Sequence, residues 1–147
     1  SNLRLLDELK EKILIKKTLV LGICVGMQIF FDKSDEGKEK GLQWIEGDVV
    51  SFKKLEGAFK VPHMGWNNVN IKNNNTIFKS KLGEELRFYF VHSYFVKCKH
   101  KKHSVGSTFY GQNFTSIVNK ENIFGVQFHP EKSHKFGMQL FKNFLSI

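Results

Sequence analysis

The apolar residues of this chain recur with two different periods, and the change between them separates predicted helices from predicted strands. In residues 3–14, Leu3, Leu6, Leu9 and Ile13 recur at helical spacing between acids and lysines, which predicts a helix. Residues 19–23 form an apolar run without charge, which is typical of a short buried strand of a parallel sheet. A second helix is predicted to begin in residues 27–31, and a charged loop follows in residues 32–41.

Alternating patterns dominate the middle of the chain. They predict a strand in residues 48–53 and either one long strand over residues 87–97 or two strands joined by a bend at His92 and Ser93. Residues 104–110 and 113–118 are predicted to form a hairpin around Gly111 and Gln112, and residues 122–128 a last strand. A turn is predicted at residues 73–75 and a helical turn at residues 76–81.

The C-terminal residues return to helical spacing. Ser133 is the predicted N-cap of a helix whose apolar face carries Phe136, Leu140, Phe141, Phe144 and Leu145. The order helix, strand, helix, several strands and helix predicts an α/β fold with an antiparallel elaboration, and residues 1–147 are interpreted as a single domain.

Composition narrows the class of protein. The chain has 147 residues, 41% hydrophobic and 25% charged, which is typical of a globular domain. Its net charge is +9, but the lysines are scattered and no nucleic-acid-binding motif organises them, so we expect no nucleic-acid partner. No apolar run is long enough for a membrane span and no signal peptide is apparent; with only two cysteines, the expected location is the cytoplasm.

A possible nucleophile follows the first predicted strand. Gly22-Ile-Cys-Val-Gly26 is a G-x-C-x-G pattern, the thiol counterpart of a nucleophile elbow, in which small residues suit a tight turn from strand to helix. A helix N-terminus would favour the thiolate of Cys24, and the amide of Val25 would face a developing oxyanion. The alternative is a buried structural cysteine, since free cysteine is commonly buried.

A possible base lies about a hundred residues later, in Gly125-Val-Gln-Phe-His-Pro-Glu131. Proline at position 130 keeps His129 extended, so the side chains of His129 and Glu131 are expected on one face of the chain. Imidazole beside a carboxylate is the base and orienting group that a thiol nucleophile needs. By contrast, Cys98, His100 and His103 lack a fourth ligand, so no metal site is expected there.

Four motifs together resemble the class I (triad) glutamine amidotransferases, and within them the glutaminase subunits of imidazole glycerol phosphate synthase. The motifs begin at residues 21, 61, 89 and 127 and read LGICVGMQ, VPHMGWN, YFVHSY and QFHPEKS. The resemblance implies a flavodoxin-like sheet flanked by helices, with Cys24, His129 and Glu131 as the catalytic triad. It also implies that glutamine is hydrolysed without a cofactor or metal, and that ammonia passes to a (β/α)₈ cyclase partner in a heterodimer that serves histidine biosynthesis.

The resemblance also implies further site residues. Val25 would donate an oxyanion hydrogen bond, and four residues would bind glutamine: Gln28, Glu36, Ser93 and Tyr94. Four others would face the cyclase: His63, Met64, Trp66 and Lys132.

One departure from the family concerns the start of the chain. The resemblance implies a preceding strand-helix-strand region with a glycine-rich loop that donates a second oxyanion hydrogen bond, so we expect an N-terminal extension to the sheet. Two alternatives stay open from the motifs alone: a paralogous subunit that supplies ammonia for an amidino-sugar, and an inactive fragment that binds a partner. A cysteine peptidase or a γ-glutamyl hydrolase would leave Gln28, Glu36 and the Met64–Trp66 segment without a role.

Overall fold

Three helices and nine strands make up the part of the chain that the computed structural model describes, which is residues 2–57, 59–72, 76–78 and 84–147. The helices are α1 (Asn2–Lys10), which continues as a π-helical turn over Glu11–Ile15, α2 (Val25–Gln28) and α3 (His134–Leu145). The strands are β1 (Val20–Ile23), β2 (Lys33–Ser34), β3 (Gly47–Ser51), β4 (His63–Ile71), β5 (Leu86–His92), β6 (Tyr94–Cys98), β7 (Ser104–Tyr110), β8 (Gln112–Lys120) and β9 (Ile123–Val126).

The strands form one mixed sheet in which β8 is the central connection. It pairs antiparallel with β7, β6 and β9, and β9 pairs in parallel with β1, with Ile23 opposite Val126. The rest of the order is β2-β3-β6 on one side of β8 and β7-β4-β5 on the other. Because β1 and β9 run in parallel, the segments that follow their carboxyl ends meet at one edge of the sheet.

Two apolar clusters fill the interior. One is rich in aromatic rings and lies between the sheet and α3; its fully buried members include Phe52, Phe90, Phe95, Phe128 and Ile117. The other lies around α2 and the β1–β9 pair and includes Met27, Phe31, Ile45 and Val118. The first cluster packs against the strands that lead to the His129–Glu131 segment, and the second packs against the turn after β1.

The predicted elements are mostly confirmed, with differences that have local causes. The predicted strand of residues 87–97 is two strands, with the bend at Ser93. The hairpin is confirmed, but Tyr110 is paired with Gln112, so Gly111 alone turns the chain, at φ 72°. Thr76–Phe78 form one 3-10 turn, while residues 73–75 and 79–83 lie outside the described residues.

The segment around Trp66 belongs to a regular strand. Residues 63–71 form strand β4, paired with β5 along seven residue pairs. The alternation of a strand therefore decides which of its side chains point inward, with consequences for the site described next.

Candidate active site

Cys24 occupies a strained turn between β1 and α2. Its φ and ψ are 54° and −109°, a conformation that non-glycine residues rarely adopt and that is typical of a nucleophile at a sharp turn. Its amide donates to the carbonyl of Val126 at 2.8 Å, which ties the turn to the end of β9. The structure therefore places the sulfur at the carboxyl edge of the β1–β9 pair.

The expectation that small residues are required on both sides of Cys24 is confirmed on one side only. A Cβ at position 22 would lie 2.5 Å from the carbonyl oxygen of Gly26 and 2.7 Å from the ring of Phe30, so a side chain there would clash. A Cβ at Gly26 would meet nothing within 4 Å. The tight approach is thus made by the backbone of residue 26 onto residue 22.

His129 and Glu131 lie together immediately after β9. The Nδ1 atom of His129 is 2.5 Å from Oε1 of Glu131, and their side chains are 19% and 48% exposed. His129 is extended, at φ −103° and ψ 97°, as the following proline predicts. The prediction that extended backbone puts the two side chains on one face is wrong, however. Glu131 lies in the 3-10 turn Pro130–Lys132, which brings its carboxylate back to the ring.

Strand β5 and Ser133 hold this segment in place. The amide of His129 donates to the carbonyl of Tyr89 at 2.9 Å, and the amide of Tyr89 donates to the hydroxyl of Ser133 at 3.0 Å. That hydroxyl in turn donates to the carbonyl of His129 at 2.6 Å. Ser133 does precede α3 as predicted, but its side chain makes no cap hydrogen bond and instead joins the histidine segment to β5.

The resting state of Cys24 differs from the sequence prediction. Burial raises the pKa of the Cys24 thiol, and the carboxylates of Glu131 and Glu36 raise it further; hydrogen bonds from the Val25 amide and the Gln127 side chain oppose this. The amide of Val25, the first residue of α2, favours the thiolate as predicted, but burial of the sulfur outweighs it and leaves the pKa above its ordinary value. The thiol lies 3.8 Å from the carbonyl of Val91, and a base is needed to remove its proton.

A pocket of about 270 Å³ opens beside the turn. It is lined by Val25 and Gln28 on one side and by the charged loop, including Glu36, on the other. This volume is at the lower end of ligand pockets, which suits a ligand of the size of an amino acid. The electrostatic effect of Glu36 on Cys24 is consistent with its place in this lining.

The loop that carries Glu36 is attached to the sheet by neighbouring carboxylates. Asp35 accepts from the amide of Ser51 at 2.9 Å and pairs with Lys54 at 2.8 Å, and Asp32 accepts from the amide of Gly47 at 3.0 Å. The lysine and the Ser51 amide hold the pKa of Asp35 below its ordinary value. These contacts fix the predicted charged loop of residues 32–41 against β3.

Gln28, Ser93 and Tyr94 occupy different positions relative to this pocket. Gln28 is 8% exposed, and its Nε2 atom donates to the carbonyl of Tyr94 at 3.2 Å. The carbonyl of Ser93 accepts from the amide of Phe52, and the ring of Tyr94 packs on the second apolar cluster. Of the three, Gln28 lines the 270 Å³ pocket as the structure describes it, while Tyr94 approaches the site through its main chain.

Gln127 is a site residue that sequence analysis missed. Its side chain is fully buried; Oε1 lies 3.0 Å from Nε2 of Gln28, and its own Nε2 lies 3.5 Å from the sulfur of Cys24. The signal available in the sequence was its position two residues before His129, because alternate residues at the end of a strand share a face.

The residues expected to face a partner are divided by the alternation of β4. Met64 and Trp66 are 61% and 41% exposed, Lys132 is also exposed, and the Trp66 ring stacks on His134 at 5.7 Å. His63 lies on the opposite face of the strand and is only 3% exposed, so the prediction that it forms part of the surface is wrong. It is paired across the strands with His92.

His63 and His92 form a buried hydrogen-bonded pair. Nδ1 of His92 lies 2.7 Å from the carbonyl of Tyr94, which can only accept, so His92 carries its proton on Nδ1. Its Nε2 then accepts from Nδ1 of His63 at 2.9 Å, and Nε2 of His63 accepts from the side-chain amide nitrogen Nδ2 of Asn67 at 3.1 Å. Burial lowers the pKa of His63 to about 4 and that of His92 to about 3, so both rings are neutral at physiological pH.

The other candidate groups carry different contacts. His100 lies 3.5 Å from the carboxylate of Glu46, and burial raises the pKa of Cys98 to about 11. Within the described ranges no three His, Cys, Asp or Glu side chains are grouped as metal ligands would be. No helix among the same residues has the length and apolar character needed to cross a membrane.

A cysteine on a strained strand-to-helix turn, with a histidine–carboxylate pair at the end of the adjacent parallel strand, defines the site of a thiol-dependent hydrolase or transferase. The particular family follows from comparison with known proteins. Residues 4–147 match the family model of class-I glutamine amidotransferases, and the chain belongs to that family. The fold class predicted from the sequence is thereby confirmed.

The curated relatives agree with the narrower resemblance. The chain is 52% identical over 145 residues to imidazole glycerol phosphate synthase subunit HisH 2 of Methanococcus maripaludis, covering 99% of this chain and 71% of that protein. It is 50% identical to subunit HisH 2 of Pseudomonas aeruginosa, over 97% and 70% of the two chains, and 45% identical to subunit HisH of Methanocaldococcus jannaschii, over 100% and 73%.

Solved structures resemble the chain in fold. PurLQS from Thermotoga maritima aligns with a TM-score of 0.68 at 21% identity, covering 92% of this chain and 64% of that one. A glutamine amidotransferase from the same organism aligns with a TM-score of 0.61 at 21% identity, covering 98% of this chain and 54% of that one. The chain thus spans less than two thirds of the length of these structures.

Proposed function

We propose that this chain is the glutaminase subunit of an imidazole glycerol phosphate synthase, which hydrolyses glutamine to glutamate and ammonia. The observation that carries the proposal is the position of the His129–Glu131 pair, which follows β9 while Cys24 follows the adjacent parallel strand β1. Identity of 45–52% to HisH subunits across nearly the whole chain supports the same reaction.

In this proposal the triad divides the work among three groups. His129 takes the proton of the Cys24 thiol, and the thiolate attacks the carboxamide carbon of glutamine. His129 then gives that proton to the departing nitrogen, so ammonia leaves and a γ-glutamyl thioester remains. Water, activated by the same imidazole, cleaves the thioester to glutamate and restores the thiol. Glu131 keeps the imidazole in one tautomer and stabilises its charged form.

We assign substrate binding to the 270 Å³ pocket and its neighbours. Both N–H groups of Gln28 are directed to acceptors within the protein, so its Oε1 is the atom left to accept from glutamine. Glu36 is suited to the substrate ammonium, and the main-chain amide of Val25 to the oxyanion. Ser93 and Tyr94 are assigned to the wall of the same site on the resemblance alone.

We further propose that the ammonia passes to a (β/α)₈ cyclase subunit in a heterodimer that acts as a lyase in histidine biosynthesis, in the cytoplasm. The exposed residues Met64, Trp66 and Lys132 form the proposed contact surface; Lys132 is adjacent to Glu131 of the triad. Exposed large apolar side chains beside a reactive site are typical of a protein interface.

A coupled assay tests the proposal. Ammonia release from glutamine is measured for the chain alone and with a cyclase subunit and its nucleotide substrate, in parallel with Cys24→Ala. We expect release that depends on Cys24 and increases with the cyclase. Absence of release in the complex would contradict the proposed function and favour a chain that only binds a partner.

A second acceptor pathway is compatible with the same site. Two relatives at 52% and 50% identity carry the name HisH 2, which favours testing a paralogous role in supplying ammonia for an amidino-sugar. Co-purification from the native host separates the two: recovery of a cyclase of histidine synthesis supports the first role, and recovery of a sugar amidotransferase supports the second.

A further inference from the structure

Gln127 is a buried polar side chain for which the proposed chemistry so far has no use. Its carboxamide is fully buried between Gln28 and Cys24. A carboxamide without partners is costly to bury, and here each end has one. Either the oxygen or the nitrogen of this carboxamide could face the sulfur, depending on its orientation.

The surrounding acceptors fix its orientation. The carbonyl of Tyr94 can only accept, so the atom of Gln28 that faces it at 3.2 Å is the amide nitrogen. The same nitrogen faces Gln127 at 3.0 Å, and because it can only donate, Gln127 must present its oxygen there. The nitrogen of Gln127 is thereby left facing the sulfur, at 3.5 Å.

The Tyr94 carbonyl is itself held in place. It accepts from Nδ1 of His92 as well as from Gln28, and His92 is locked in one tautomer by the carbonyl and by His63. The donor and the acceptor of each hydrogen bond between the buried histidine pair and Cys24 are therefore determined.

We propose that Gln127 stabilises the thiolate of Cys24 by donating a hydrogen bond to its sulfur, and that Gln28 is a positioning residue that keeps Gln127 in the donating orientation. The inference rests on the proposed function in that it takes Cys24 as the nucleophile. A donor to the charged form of a thiol favours that form. It acts against the burial and the carboxylates of Glu131 and Glu36, which oppose ionisation.

The experiment follows alkylation of Cys24 by iodoacetamide as a function of pH, without glutamine, so that it does not depend on turnover. All variants carry Cys98→Ser, which leaves one thiol, and intact mass reports the reaction. Gln127→Met, of similar volume, removes the donor. Gln139→Met on the exposed face of α3 makes the same chemical change away from the site and serves as the matched control.

We expect Gln127→Met to move the midpoint of the alkylation profile upward by about one pH unit and to slow alkylation about tenfold at pH 7, since one unit is a tenfold change in thiolate. The plateau rate at high pH should remain close to that of Gln139→Met, and thermal unfolding shows whether Gln127→Met is folded. Gln28→Met should shift the profile in the same direction by a smaller amount, because Gln127 can then turn its oxygen to the sulfur.

An unchanged alkylation profile in folded Gln127→Met would overturn the inference. If that variant does not fold, Gln127→Leu, which also lacks a donor, replaces it, and an unchanged profile there has the same meaning. A shifted profile in a chain that releases no ammonia would leave the inference standing and count against the proposed function alone.

Discussion

Two of the histidine sites that the structure describes differ in their exposure to solvent and in their hydrogen-bond partner. His129 is partly exposed and lies against the carboxylate of Glu131. His63 and His92 are 3% and 6% exposed and lie against each other, with the ring of His63 stacked on Phe90 and Tyr110. A carboxylate stabilises a charged imidazole, whereas a second imidazole among phenyl rings disfavours one.

The difference shows that residue type alone does not assign a histidine its role. At the end of β9, the imidazole has a carboxylate partner and is partly exposed, which suits the proton transfer proposed for it. Between β4 and β5, it connects main-chain and side-chain groups with a fixed direction of donation, and remains neutral. Substitutions at the two histidine sites and at the residues around them test this contrast.

The largest effect is expected at the nucleophile. Cys24→Ala should reduce glutaminase activity by about a thousandfold or more while leaving the thermal midpoint nearly unchanged, because it removes the reacting atom. Cys98→Ala is the control and should retain activity. A glutamine-derived electrophile should label Cys24, which lies beside the proposed glutamine pocket, and not Cys98, which has no such pocket in the proposal and a pKa raised to about 11. Equal labelling of both, measured by peptide mass, would argue against activation of Cys24.

His129→Ala should be nearly as damaging as Cys24→Ala, and the double variant little worse than either. Members of one catalytic unit give losses that are not additive. Steady-state ammonia release provides the three rates. Losses that add in log rate would mean that the two residues act separately, which would contradict a catalytic role for His129 together with Cys24.

The buried pair should appear in the pH dependence of stability. Unfolded histidine binds a proton below a pKa of about 6.5, but folded His63 and His92 do so only near 4 and 3, so acid favours the unfolded chain. The contribution is complete above pH 6.5 and is lost as the pH falls towards 4 and then 3. We expect a loss of about 2–4 kcal/mol between pH 7 and 5, measured by urea unfolding.

Two variants assign that loss. His92→Gln should flatten the pH dependence of the free energy of unfolding, at some cost in stability at pH 7, because one of the titrating rings is gone. His100→Gln changes an exposed histidine paired with Glu46 and should leave the slope as it was. A slope unaffected by His92→Gln would show that other groups dominate.

Ser133→Ala should weaken the attachment of the His129 segment to β5. The change leaves the amide of Tyr89 and the carbonyl of His129 without this partner in a buried position, which costs about 1–3 kcal/mol. Ser146→Ala at the exposed end of α3 is the control. Thermal unfolding and kcat are measured together. A loss of stability no larger than that of the control would contradict the role of Ser133 in attaching the His129 segment to β5.

The smallest effect is expected at the proposed contact surface. Trp66→Ala and Lys132→Ala should lower glutamine-dependent activity of the complex a few-fold, and leave cyclase activity driven by free ammonia unchanged, because they alter the contact and not the cyclase site. Asn68→Ala, another exposed position on the same face of β4, is the matched control. An equal fall in ammonia-driven turnover would mean that these residues serve the cyclase in another way.

The parts of the site that depend on local chemistry could be predicted from the sequence. The apolar run that ends at Gly22 and Cys24 favours a strand followed by a tight turn, and the proline after His129 restricts the backbone of that histidine, so the strand-to-helix turn and the extended histidine could be predicted. The helical spacing of the terminal segments is likewise a local property, and both helices are present.

The contacts between residues far apart in the chain could not be predicted, because they depend on how the strands pair in the folded protein. Pairing of β4 with β5 directed His63 inward to His92, although its neighbours Met64 and Trp66 point to solvent. Gln127 became a neighbour of Cys24 because β9 lies beside β1, and burial at that junction raised the pKa of the thiol that the local turn was expected to lower. Desolvation and hydrogen-bond partners come from residues up to a hundred positions away, and spacing along the chain carries little information about either.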